Sequence, residues 1–272
     1  MECVLHRLKL VVLLLGANSA NAGMMSGFYC FASMGSCVCN ADQLREAVAR
    51  ADGPITTTIR MCRQAIITLD KPIELYNTNI QLECPGSLFP LLPGHCTIEG
   101  ENTARLFQGN NSVLSINNVR LQKGSALSKD DPDGGAIQLA QSSLHLINCL
   151  FRDNTALAGA GGAINLSGGT LTAGDCKFES NFAQDGAAIA TGQTDSSIHS
   201  STFVNNQSGA GGTWIILGGS TTIESSSFRE NSLHTAEDRV GLESSYLCRS
   251  ISLILQLETH WSALSISGEG FT

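Results

Sequence analysis

The hydrophobic rhythm of the chain changes once. Across residues 40–52 the apolar side chains Leu44, Ala47, Val48 and Ala51 recur at helical spacing and predict one amphipathic helix. Asn40 suits the N-cap, Gln43 stands at the capping-box position, and Asp52-Gly53-Pro54 supplies the stop. Beyond this stretch the period becomes two. The segments 57–61, 65–69, 73–75, 79–82, 96–100 and 115–121 are short, rich in β-branched residues and bounded by turn formers, which predicts strands. No Asn-Gly or Asp-Gly hairpin signal separates them, so the coils of a solenoid fit better than a sandwich.

A repeat makes that choice firm. Phe151, Phe178, Phe203 and Phe228 each open a Phe-x-x-Asn that closes on Asn154, Asn181, Asn206 and Asn231, at steps of 27, 25 and 25 residues. Gly134-Gly135-Ala136-Ile137, Gly161-Gly162-Ala163-Ile164, Gly186-Ala187-Ala188-Ile189 and Gly211-Gly212-Thr213-Trp214 keep the same steps. A degenerate earlier copy places Leu121 at the Phe position and Gly124 at the Asn position, and after Ser232 the repeat stops. A period near 25 gives each coil two or three short strands stacked on the previous coil at about 4.8 Å. The fold class is therefore all-β, a right-handed parallel β-helix solenoid with a short N-terminal capping helix. In such a coil the phenylalanines stack inward, the asparagines bond at the turn from coil to coil, and the glycines turn the corner. Cys149 and Cys176 precede Phe151 and Phe178 by two residues and share the inward face, where Ser201 and Ser226 replace them later. A ladder of small buried side chains is the expectation there, with a disulfide between coils as the alternative.

Four segments follow from this pattern. Residues 1–22 read as a signal peptide, with Arg7 and Lys9 before a short leucine-rich core and Ala20-Asn21-Ala22 as the cleavage pattern, so the mature chain is expected to begin at Gly23. The apolar run is far below the roughly 20 residues of a membrane span, and no later segment reaches that length. Residues 23–39 form a Cys-rich leading segment, 40–232 the β-helix, and 233–272 a C-terminal cap or poorly ordered tail. In a secreted chain the early cysteines Cys30, Cys37, Cys39, Cys62, Cys84 and Cys96 read as disulfides. Zinc is the weaker reading, because Cys37 and Cys39 lack the usual Cys-x-x-Cys spacing.

Composition narrows the partners. A formal net charge of -8, with Lys and Arg scattered rather than clustered, argues against nucleic acid and anionic membrane. The mature chain carries no transmembrane segment in this reading; a glycan or a cell-surface protein is the expected kind of partner, and no cofactor is expected.

The Gly-Gly-Ala-Ile and Phe-x-x-Asn repeats of residues 112–232 resemble those of the polymorphic outer membrane proteins of chlamydiae. The helix followed by β coils, residues 40–232, resembles the wider pectin-lyase-like β-helix superfamily. The resemblance implies a secreted or surface-exposed β-helix with a structural or adhesive role. The chlamydial proteins end in an outer-membrane barrel, which the 41 residues after Asn231 are too few to form.

The superfamily also contains lyases and hydrolases that act on polysaccharides, so a polysaccharide-binding or polysaccharide-degrading protein is the alternative reading. Hydrolysis needs clustered carboxylates, and the one dense group is Asp130, Asp131 and Asp133, which also resembles a calcium loop. A solvated turn is the expectation for it. Lys123 and Lys129 lie nearby in sequence as the basic groups that lyase chemistry would require. His145 and His199 are expected on the outer surface. Sequons occur at Asn110, Asn165 and Asn206; since Asn206 belongs to the repeat, Asn110 and Asn165 are the glycosylation candidates. No catalytic residue is assigned.

Overall fold

The structure, a computed structural model, describes residues 37–51, 53–86 and 95–233, together with the backbone of the strands Cys248–Gln256 and Ser265–Ile266. The expected signal peptide, Cys30 and most of 233–272 lie outside the described residues.

One helix, α1 (Ala41–Ala49), stands at the N-terminal end. The Asn40 side chain accepts the Gln43 N–H at 2.9 Å, and the Gln43 side-chain oxygen accepts the Cys39 N–H at 3.0 Å. This is the reciprocal cap anticipated from the sequence, with its second bond one residue earlier than the usual box. Leu44 and Val48 are buried where the helix meets the strands Thr57–Arg60 and Ile73–Tyr76, so α1 closes that end of the core.

The rest is a parallel β-solenoid of about six turns. A first sheet stacks Ile73–Tyr76, Phe107–Asn110, the leading halves of Ile137–Ile147, Ile164–Gly174 and Ile189–His199, and Trp214–Leu217. A second stacks Thr57–Arg60, Asn79–Glu83, Val113–Asn117, the trailing halves of the same long strands, and the start of Gly219–Arg229. A third runs from Ile66–Thr68 through Cys96–Glu99, Val119–Gln122, Leu150–Arg152, Lys177–Glu179 and Thr202–Val204. Thr155–Ala160, Phe182–Asp185, Gln207–Ser208 and Ser232–Leu233 form a short fourth. The strand Cys248–Gln256 adds in parallel to Gly219–Arg229 beyond the last repeat.

The segment 115–121, read as one strand, is two: Val113–Asn117 and Val119–Gln122 meet at Asn118. Asn118 has φ 61°, and Asn148, Asp175, Ser200 and Ser225 take the same left-handed conformation at the corresponding corner of later coils. Asn and Asp tolerate that region because their short polar side chains bond locally, which is why period-two alternation runs through the corner without a glycine to mark it.

The interior is a set of columns. Phe151, Phe178, Phe203 and Phe228 stack with ring centroids 5.0, 4.7 and 4.4 Å apart and planes within 8° of parallel. Leu121 sits in register beneath Phe151, as the degenerate copy predicts. Burying each ring contributes about 2 kcal/mol. Beside them runs an asparagine column. The backbone N–H and the side-chain N–H of Asn154 both donate to Oδ1 of Asn181; Asn181 does the same to Asn206, and Asn206 to Asn231. Each Nδ2 also reaches back to a carbonyl on the preceding coil, such as Phe151 O from Asn181 at 3.1 Å. Gly124, at the degenerate position, donates its N–H to Asn154 Oδ1 at 2.9 Å. The glycine pair serves two purposes: Gly161 takes φ 72°, while a Cβ on Gly162 would lie 2.2 Å from Ala187 O.

Cys149 and Cys176 are buried and unbridged, so the small-residue ladder is what forms. Their thiols donate to backbone carbonyls (Cys149 to Ile147 O, Cys176 to Gly174 O), and the hydroxyls of Ser201 and Ser226 bond His199 O and Glu224 O in the same manner. Among the described residues, the disulfides Cys37–Cys62 and Cys84–Cys96 tie the first coils together.

Candidate functional site

With the inward columns consumed by packing, chemistry falls to outward positions. Two outward rows run along the first sheet, one through Gln108, Gln138 and Asn165, the other through Tyr76, Asn110, Ala140 and Ser167. Alternation places these side chains outside because Ile73, Leu75, Phe107, Ile137, Leu139, Ile164 and Leu166 fill the inside. Between the rows lies a shallow groove of about 260 Å³ spanning four coils. Tyr76, half exposed, stands at one end, Ser167 at the other, and Ala140 leaves a dip in between.

The wall of the groove is the acidic loop. Asp131 is held by Arg105, whose Nη1 donates to Asp131 Oδ2 at 2.8 Å and to Gln108 Oε1 at 2.9 Å. Nη2 donates to the carbonyls of Asp131 and Asp133 at 2.9 and 2.6 Å, and Nε to Gly134 O at 3.0 Å. The Arg105 side chain is only 7% exposed, so this guanidinium is a desolvated charge matched by one carboxylate and three carbonyls. Gln138 Nε2 closes the network by donating to Asp131 Oδ1.

The three aspartates therefore do not act together. Asp130 is exposed beside Ser128, Asp131 faces the groove, and Asp133 turns away to accept the Ala160 N–H at 2.7 Å. Among the described residues, no three of His, Cys, Asp and Glu gather into a set that could hold a metal ion. Asp133 instead approaches Asp185 on a neighbouring coil. Burial, and then the Asp133 charge, pushes the Asp185 carboxyl up from its ordinary value.

Neither lysine considered for base chemistry reaches the loop's carboxylates by a described ion pair; Lys123 pairs with Glu99 at 3.6 Å on the third sheet. Arg105 was not singled out by its sequence, although a signal exists. Register puts it in the column where later coils carry Gly135, Gly162, Ala187 and Gly212, so a long cation replaces a packing glycine.

Of the sequons, Asn110 is exposed and Asn165 half-buried, both lining the groove, while Asn206 is buried in the asparagine column. His145 bonds Thr172 Oγ1 at 2.8 Å on the outer face of the second sheet. His199 is also outward but occupies the adjacent row, packed over Gly174.

No family model, curated protein or solved structure matches the chain. What the fold and the groove define is a class: a parallel β-solenoid whose repeat residues build the scaffold and whose groove is lined mainly by polar side chains. Among the described residues, no helix is long and apolar enough to cross a membrane.

Proposed function

We propose that the chain is a secreted or surface-exposed, non-enzymatic β-helix with a structural or adhesive role. The observation that supports this most is the outward row of the second sheet. Thr58, Gln81, Ser115, His145, Thr172, Ser197 and Thr222 succeed one another in register, one per coil. Such a strip of five hydroxyls, one amide and one imidazole offers many weak, repeated contacts rather than one enclosed reaction centre. The two disulfides agree with folding in an oxidising compartment.

A polysaccharide-binding or polysaccharide-degrading protein is the second reading, and the polar groove of the first sheet favours its binding form. Expression with the native N-terminus followed by N-terminal sequencing of the exported chain tests secretion, with Gly23 as the expected first residue. Cell adhesion to surfaces coated with that product, beside a lyase and hydrolase screen with and without calcium, tests the role. Adhesion without turnover is the expected result; turnover of any polysaccharide overturns it.

A further inference from the structure

We infer that the groove of the first sheet is a binding site for a neutral saccharide, a reading that rests on the proposed adhesive role and names its ligand class. Four features carry this. The Tyr76 ring is 50% exposed at the end of a strand whose inward neighbours are fully buried, so a flat apolar face is displayed beside polar groups. That combination suits the apolar face and hydroxyl rim of a pyranose ring.

The amides of the groove are oriented rather than free to flip. Arg105 donates to Gln108 Oε1, which leaves the Gln108 N–H groups as donors. Gln138 spends its Nε2 on Asp131, which leaves its oxygen as an acceptor. Gln108 and Gln138 are register neighbours, so a donor and an acceptor are presented side by side from strands about 4.8 Å apart. A sugar hydroxyl both donates and accepts, and vicinal hydroxyls bridge such a pair. Because a buried guanidinium anchors the network, little side-chain ordering remains to oppose binding.

Charge decides between neutral and acidic sugars. Among the described residues the cation of the groove wall is Arg105, already matched by Asp131 and by carbonyls, and the chain carries a net charge of -8. A uronate or sulfate placed there would meet Asp131 without a counter-cation. Shape fixes the extent: about 260 Å³, open and shallow, with Ala140 at the dip, accommodates a terminal sugar or a short stretch rather than a deeply enclosed ligand.

The test is titration of the full secreted chain, produced without N-glycans because Asn110 and Asn165 line the groove, against a glycan array of neutral and uronic-acid saccharides. Binding to at least one neutral saccharide and none to polygalacturonate or heparin is expected. Tyr76→Ala should weaken it by about tenfold, the loss of one aromatic contact. Ala140→Trp should fill the dip and abolish binding, with an unchanged thermal melt showing that the coil is intact. Lys177→Gln, at an exposed position on the third sheet outside both the groove and the second-sheet row, should leave the affinity as it was. Absence of neutral-saccharide binding by folded protein, a preference for uronates, or binding that survives Ala140→Trp would each overturn the assignment. Cell adhesion that persists in Ala140→Trp would reject the groove as the adhesive contact while leaving the adhesive role standing; loss of adhesion in every variant and the parent would reject the role itself.

Discussion

Asn181 Oδ1 accepts two hydrogen bonds from Asn154, one from its backbone N–H at 3.1 Å and one from its Nδ2 at 3.0 Å. Both residues are at most 1% exposed, so no water replaces a lost partner. Asn181→Ala would strand two buried donors of Asn154 and remove the bond from Asn181 Nδ2 to Phe151 O. We expect a loss of about 3 kcal/mol in chemical denaturation, since each unsatisfied buried group costs about 1–3 kcal/mol. Asn117→Ala, at an exposed strand end, should stay within about 0.5 kcal/mol.

Phe178 lies between Phe151 and Phe203 with centroids 5.0 and 4.7 Å away, and it is fully buried. Phe178→Ala removes the middle of the column and should destabilise the protein by about 3–5 kcal/mol. Phe178→Leu should be tolerated far better, because Leu121 already occupies the equivalent place one coil before Phe151. Equal losses in the two variants, measured by urea unfolding, would show that volume is not what the column requires.

The columns were legible in the sequence because each coil restates them: the Phe, the Asn and the glycine pair recur at a fixed step, and repetition separates signal from chance. The unmarked corner at Asn118 was not, since αL geometry at a polar residue leaves the alternation of its flanks intact. The groove was hidden for a different reason. Tyr76, Gln108, Gln138 and Asn165 come from four coils and share no motif; only register brings them into two adjacent rows. The acidic triplet stands out as a cluster, yet Asp131 is held by Arg105, Asp133 accepts from Ala160 and Asp130 stays exposed, so neighbouring side chains of the loop around Pro132 go in different directions.

Asp185 gives the fold a pH dependence whose sign is fixed. Burial and the Asp133 charge raise its carboxyl above the ordinary 3.8, so the folded chain holds this proton more tightly than the unfolded chain. Its contribution to stability is complete below pH 3.8 and is lost as pH rises through the raised value. Asp185→Asn removes that loss. Unfolding curves taken from acid to neutral pH should therefore show the variant gaining on the parent as pH rises, and curves that run parallel across this range would refute the coupling.

Cys149 and Cys176 lie on adjacent coils in the column that continues as Ser201 and Ser226. Cys176 N–H donates to Ser201 Oγ at 3.2 Å and its thiol donates to Gly174 O, the same two bonds that Ser201 makes with Ser226 and His199 O. The contact with Cys149, together with burial, pushes the Cys176 thiol well up, away from the thiolate that thiol reagents require. Cys176→Ser should thus fold with a stability within about 1 kcal/mol of the parent, since a hydroxyl at this position is already accommodated one coil later. Cys176→Val keeps the volume but removes the donor to Gly174 O, and should cost about 1 kcal/mol more than the serine variant. Both sulfurs are buried, so in the folded parent neither thiol should react with a disulfide reagent, and both should react on unfolding in denaturant. Rapid labelling of the native chain would mean that these coils separate readily, which the hydrogen bonds donated by Lys177 N–H to Cys149 O and by Thr202 N–H to Cys176 O, each at 2.9 Å, argue against.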